Sequence, residues 1–112
     1  MKESILKSKS FALAVRIVRL YKYLSEQKTE YILSKQVLRS GTSVGAMVCE
    51  AEYSESKADF DHKMGIARKK LNETLYCLEL LLQTEYNSLS ADAIESIKIL
   101  TTSIKTAKNI NN

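Results

Sequence analysis

The sequence predicts an all-α fold, an antiparallel up-down four-helix bundle, on three observations. Proline is absent and glycine occurs only three times in 112 residues, so nothing interrupts long helices. Four segments repeat apolar residues with the 3.6-residue period of one helix face. The links between them are a few residues long, which sets neighbouring helices in opposite directions. The expected organisation is a single four-helix-bundle domain over residues 1–112, long enough to bury a core without staples.

The first helix is expected from about Ser4 to Ser25. It carries two apolar rows, one of Phe11, Ala14, Val18 and Tyr21 and one of Leu13, Ile17, Leu20 and Leu24. Two rows are a wider face than one bundle core requires. The second helix is expected from about Glu30 to Tyr53 with Thr29 as N-cap; its stripe is Leu33, Val37, Gly41, Val44, Val48 and Ala51. Ser56 and Asp59 resemble a capping box, with Asp in place of the usual Glu, and open the third helix. Phe60, Met64, Ala67, Leu71, Leu75, Leu78 and Leu82 follow at spacings of four and three, ending near Glu85–Asn87. Ser90 is the expected cap of the fourth helix, with Asp92 in its first turn and Ile97, Leu100, Ile104 and Ala107 as its stripe. Residues Asn109 to Asn112 are expected to fray.

The run RSGTSVGAMVCEAE, residues 39–52, holds Gly41 and Gly45. A phosphate-binding P-loop needs a preceding strand, a wider glycine spacing and a Lys-Ser/Thr pair, none of which is present. Small residues four apart instead share a helix face and let another backbone come close. Two helical glycines cost roughly 1 kcal/mol each against alanine, and close packing offsets that cost. The face is expected to meet another helix, in the bundle or in a second subunit; a local kink is the plainer alternative.

Residues 10–108 resemble a known family through SGTSVGAMVCEAE and SKADFDHKMGIARKKLNETLYCLELL, with the motifs in the expected order. The family is the small bacterial four-helix-bundle proteins encoded by intervening sequences of 23S ribosomal RNA genes, also called S23-type ribosomal proteins. The chain is also similar to the accessory protein of diversity-generating retroelements, a basic pentameric barrel associated with a reverse transcriptase and nucleic acid. The resemblance implies a helical bundle assembling as a homo-oligomeric ring, with homopentamers known, and no enzymatic activity.

The residues themselves also argue against catalysis. A bundle di-iron site takes two Glu-x-x-His pairs, and His62 is the only histidine. Cys49 and Cys77 lie in apolar helical stretches and are expected to be reduced and buried. Glu50 and Glu52, two apart on a helix, point in different directions. No cofactor or metal is expected. No apolar run approaches the roughly 20 residues of a bilayer span, and the N-terminus lacks the pattern of a secretory signal, so a cytoplasmic protein without a membrane partner is expected.

Net charge is +4, unevenly spread. Residues 1–49 hold nine basic and three acidic side chains, and residues 50–95 hold five basic and ten acidic. Arg16, Arg19 and Lys22 recur on the first helix, Lys35 and Arg39 on the second, and Arg68, Lys69 and Lys70 on the third. For any one of them a solvated helix face is the plain reading; together they are candidate phosphate contacts, multiplied by symmetry in an oligomer. The tyrosines are scattered, so structured RNA, or DNA, recognised by shape suits the chain better than stacking on single strands. Glu50, Glu52, Glu55 and Asp59 form an acidic end able to meet the basic first helix of another copy, with Glu50, Gly41 and Gly45 as candidate assembly positions. The alternative function is an oligomeric scaffold or accessory protein that recruits a protein partner.

Overall fold

The computed structural model describes residues 2–84, 88–107 and 110, with side chains for 5–84, 90–107 and 110. It contains α1 (Lys2–Gln27), α2 (Leu33–Glu52), α3 (Lys57–Thr84) and α4 (Ser88–Lys105), with no strand among the described residues. α1 packs against α2 and α4, and α3 packs against the same two helices, so the order around the core is α1, α2, α3, α4. None of these helices is long and apolar enough to cross a membrane. The expected link at Asn87, the end of α3 near Glu85–Asn87 and the termini at Asn109, Asn111 and Asn112 lie outside the described residues.

Of the two apolar rows on α1, the core takes one. Leu13, Ile17, Leu20 and Leu24 are buried, together with Leu6 two turns before them. Phe11 stands in solvent with 69% of its surface exposed, and Ala14, Val18 and Tyr21 are half-buried. On α2 the expected stripe enters the core from Val37 to Ala51, with Leu33 packed at its edge. On α3 the expected stripe enters the core at Met64, Ala67, Leu71 and Leu78, joined there by Thr74, Cys77 and Leu81, while Leu75 and Leu82 are half-buried. A residue repeating every seven drifts about 20° per heptad around a straight helix, so past Leu71 the core face also takes Thr74, Cys77 and Leu81 beside the expected Leu78. Thr74 is accommodated because its hydroxyl bonds that of Ser40 on α2 at 2.8 Å and the Lys70 carbonyl at 2.8 Å. α4 contributes Ile94, Ile97, Thr101 and Ile104, and Leu100 and Ala107 pack on the flank.

The caps differ from expectation in two places. Thr29 is not the N-cap of α2. It lies after α1 with a φ of 51°, and the Leu24 carbonyl accepts the N–H groups of Lys28 and Glu30 on either side of it. α2 starts later, at Leu33, because the Glu30 carboxylate caps it instead, accepting the N–H groups of Ile32 (3.2 Å), Leu33 (2.9 Å) and Ser34 (2.7 Å). One carboxylate serves three donors left orphaned at a helix start and faces the positive end of the dipole. Ser90 likewise is no cap: α4 begins at Ser88, so Ser90 is inside the first turn, buried, and donates to the Tyr23 hydroxyl on α1 at 2.7 Å. Asp92 is therefore beyond the helix start. Half of the capping box at α3 is formed: the Ser56 hydroxyl accepts the Asp59 N–H at 3.1 Å, while the Asp59 carboxylate reaches past Ser56 to accept the Glu55 N–H at 3.4 Å.

The two glycines of α2 do different things. A Cβ on Gly41 would lie 2.8 Å from Ile17 Cγ1, against a branched side chain with no exposed surface. A Cβ on Gly45 would meet the Ser10 carbonyl oxygen at 3.6 Å, ordinary contact, and one on Gly65 of α3 would meet nothing within 4 Å. Both α2 glycines face α1, so the thin face is an intramolecular helix contact. The cysteines divide too. Cys77 is buried, its thiol 3.5 Å from the Gln36 amide oxygen and pushed up by that burial, away from the thiolate form. Cys49, expected to be buried, is only half-buried and lines a groove between α1 and α2.

Gly65→Ala reads helix propensity alone and should raise stability by about 1 kcal/mol, roughly 4 °C in Tm. Gly45→Ala should do nearly the same, whereas Gly41→Ala should lower Tm, because overpacking of about 1–3 kcal/mol outweighs the propensity gain. Thermal melts of the three variants check the signs; a Gly41→Ala protein as stable as Gly65→Ala would show that α1 is not held at glycine distance.

Ion pairs give the pH response. The Lys63 ammonium beside Asp59 (3.2 Å), and Lys98 beside Glu79, hold these carboxyls below their ordinary values of 3.8 and 4.5. Lys7 and Lys98, bonded to Glu52 and Glu79, are raised above 10.5. The carboxylate contributions are complete above 4.5 and lost as pH falls through the folded-state values; the lysine contributions are lost as pH rises past 10.5. Tm should therefore be flat from about pH 4.5 to 9.0, above which the Cys77 thiol held protonated by burial begins to cost stability, and fall outside these limits. Glu79→Gln should shallow the acid limb in pH-dependent melts, and salt should shrink the difference.

Candidate nucleic-acid interface

The eight basic residues singled out by the sequence do not form one patch. Successive residues on a helix point about 100° apart, and the run Arg68-Lys69-Lys70 is splayed accordingly. Arg68 reaches the Ile110 carbonyl at 3.2 Å, beyond the end of α4. Lys69 is exposed, and Lys70 turns toward α2 and pairs with Glu73 at 3.3 Å. Lys22 and Lys35 are exposed and line no groove.

Two groups are brought together instead. Arg16 and Arg19 stand at the seam of α1 with α4, at the rim of a groove of about 360 Å³. Arg16 Nη1 donates to the Ser96 hydroxyl at 3.3 Å, which ties the guanidinium to the seam, and Arg19 is exposed. The floor is apolar, made by Leu20, Ala93 and Ile97, and the Tyr23–Ser90 hydroxyl pair lies within it. No carboxylate is among the described lining residues; Asp92 and Glu95 of α4 lie outside it. Lys9, two turns before Arg16 on the same side of α1, donates to the Ser103 hydroxyl of α4 at 3.1 Å and extends the row of cations. Helix spacing explains the alignment: residues 9, 16, 19 and 23 share a face, while Lys22 falls on the outward side.

The second group is Arg39 and Lys70, which line a groove between α2 and α3 with Gln36, Glu73 and Tyr76. Here Lys70 is already paired with Glu73, so this groove is less positive than the first. Sequence reasoning missed both tyrosines and Lys9. Tyr23 was legible as the next member of the 16, 19, 23 spacing. Tyr76 was not, because its neighbours Arg39 and Lys70 come from different helices.

The acidic end is partly occupied within the chain. Glu52 pairs with Lys7 at 3.3 Å and Asp59 with Lys63 at 3.2 Å. Glu50 and Glu55 are exposed. Between α1 and α2, Phe11, Ala14, Gly45 and Ala46 line a further groove beside Cys49.

Comparison with known proteins fits this architecture. No curated protein matched the chain. A crystal structure of a protein of unknown function from the S23 ribosomal protein family of Bacteroides thetaiotaomicron is similar at 50% identity, with a TM-score of 0.85, over 90% of this chain and 92% of that one. The family model described as 23S rRNA-intervening sequence protein matches residues 2–110. The four helices, their order and the match across nearly the whole length lead to one assignment: the chain belongs to the 23S rRNA-intervening sequence protein family.

Proposed function

We propose that this protein is a non-enzymatic, homo-oligomeric, antiparallel four-helix bundle that binds structured RNA through the cationic seam of α1 and α4. The carrying observation is that Arg16 and Arg19 flank one groove with no carboxylate among its described lining residues, with Lys9 extending the row. Clustered cations are what phosphate binding needs, and counter-ion release then supplies the affinity.

The antiparallel arrangement is supported by cross-helix contacts in which numbers rise on one helix as they fall on its neighbour. Between α1 and α4 the pairs are Lys9–Ser103, Arg16–Ser96 and Tyr23–Ser90. Between α1 and α2 they are Lys7–Glu52, Ser10–Gly45 and Ile17–Gly41.

Self-assembly is supported by the α1–α2 groove. It presents an exposed Phe11 beside Gly45 and Ala46, with Glu50 exposed on the same helix. Small residues beside a projecting aromatic suit contact with another copy, in a ring if the contact is head-to-tail and closes. The same groove is the feature that favours the second reading, a scaffold that recruits a protein partner through Phe11.

A labelled hairpin fragment of ribosomal RNA, titrated by fluorescence anisotropy across a salt series, tests the first reading. Affinity should fall steeply with salt, and Arg16→Ala with Arg19→Ala together should reduce the log–log slope by about 2. Absence of binding at low salt would reject RNA association and leave the scaffold. Light scattering of Phe11→Asp should show a smaller particle than the parent; equal masses would remove the α1–α2 groove from assembly.

A further inference from the structure

We propose that the α1–α4 groove receives the base of an unpaired RNA nucleotide, a role that rests on the RNA-binding reading but asks more of the same site. Phosphate binding needs only exposed cations. It gives no reason for the cations to stand over an apolar depression. This groove has an apolar floor of Leu20, Ala93 and Ile97 directly beneath Arg16 and Arg19. Its volume of about 360 Å³ falls at the small end of the range that takes small organic ligands. An unpaired nucleotide has the matching chemistry, an apolar π-face beside a phosphate.

The walls fit as well. Tyr23 is half-buried in the lining and offers an aromatic surface, and guanidinium planes also stack on bases. The Tyr23 and Ser90 hydroxyls lie 2.7 Å apart, and the phenol oxygen keeps capacity for one more hydrogen bond, to a polar atom on the base edge. Arg16 is tied to Ser96, so its charge is placed at the rim before any ligand arrives.

Neither other groove combines these features. Between α2 and α3, Tyr76 is accompanied by Arg39, but Glu73 holds Lys70 and places a negative charge in the lining. Between α1 and α2 the single cation, Lys7, is bonded to Glu52.

The experiment compares two RNA hairpins with the same number of phosphates, one fully paired and one with a single unpaired nucleotide, in anisotropy titrations at fixed salt. The bulged hairpin should bind about tenfold more tightly, within what stacking one base supplies. Ala93→Trp fills the groove from an exposed position on α4. It should cut that advantage, read as the ratio of the two hairpins' affinities for the same variant, to less than about twofold. Ala93→Leu, with a melting curve for each variant, serves if the larger residue disturbs the fold. Equal binding of both hairpins, unaffected by either variant, overturns base insertion while leaving RNA association standing. Binding of neither hairpin removes the RNA reading and this proposal with it. A fall in particle mass on Ala93→Trp overturns base insertion by assigning the groove to a second copy.

Discussion

The closeness of α1 to α2 at Gly41 is the constraint on which the rest of the molecule depends. Ile17 has no exposed surface, and its Cγ1 occupies the space a Cβ at position 41 would need. Cores are packed densely enough that a single added methyl is felt, so this contact fixes both the separation of the two helices and the rotation of α1 about its axis. With Ile17 turned fully inward, Leu13, Leu20 and Leu24 follow it into the core. The row of Phe11 is then left facing outward, and that of Arg16 is left over α4. Three faces of one helix are thereby assigned by one steric contact.

Much of this was legible in the sequence, for a physical reason. Helical period survives in any linear reading, so the existence of all four helices and the core residues Val37, Val44, Met64 and Leu71 follow from spacing alone. The Ser56 cap on the Asp59 N–H is local and was equally readable. What failed was the assignment of ends by residue type. Thr29 is a good N-cap by composition, yet Glu30 is one residue closer to the helix and has the reach to serve three donors, so the longer side chain wins. Ser90 looked like a cap because a buried serine inside a helix needs a partner that only the folded chain brings, the Tyr23 hydroxyl. On α3 the expected Leu78 is in the core, but Thr74, Cys77 and Leu81 join it and Leu75 and Leu82 do not reach it, because a heptad approximates a helical period and loses register over several turns.

The candidate site was less legible than the fold. Charge density along the chain pointed to Arg68, Lys69 and Lys70, but contiguity in sequence separates side chains around a helix. One of these is drawn to a carbonyl and another to Glu73. Of Arg16, Arg19 and Lys22, it is the two arginines that end up on one groove. Sequence reading finds sites whose members share a helix face, and it cannot assemble Arg39 with Tyr76 and Lys70 across a seam.

The common wall of two grooves on α1 has a mechanical consequence. Phe11 and Ala14 face the α2 side while Arg16, Arg19 and Tyr23 face the α4 side. A helix is stiff over this distance, so any contact that rotates α1 at one groove moves the residues at the other. In the proposed assembly, a neighbour seated against Phe11 therefore bears on the orientation of the arginine seam as well as repeating it around the particle. Repetition alone would raise avidity without new contacts, which the proposed RNA binding by a seam with only a few cations per subunit calls for. Shared orientation adds a requirement that the seams of all subunits be presented alike, and the Gly41–Ile17 contact, being intramolecular and identical in each copy, meets it.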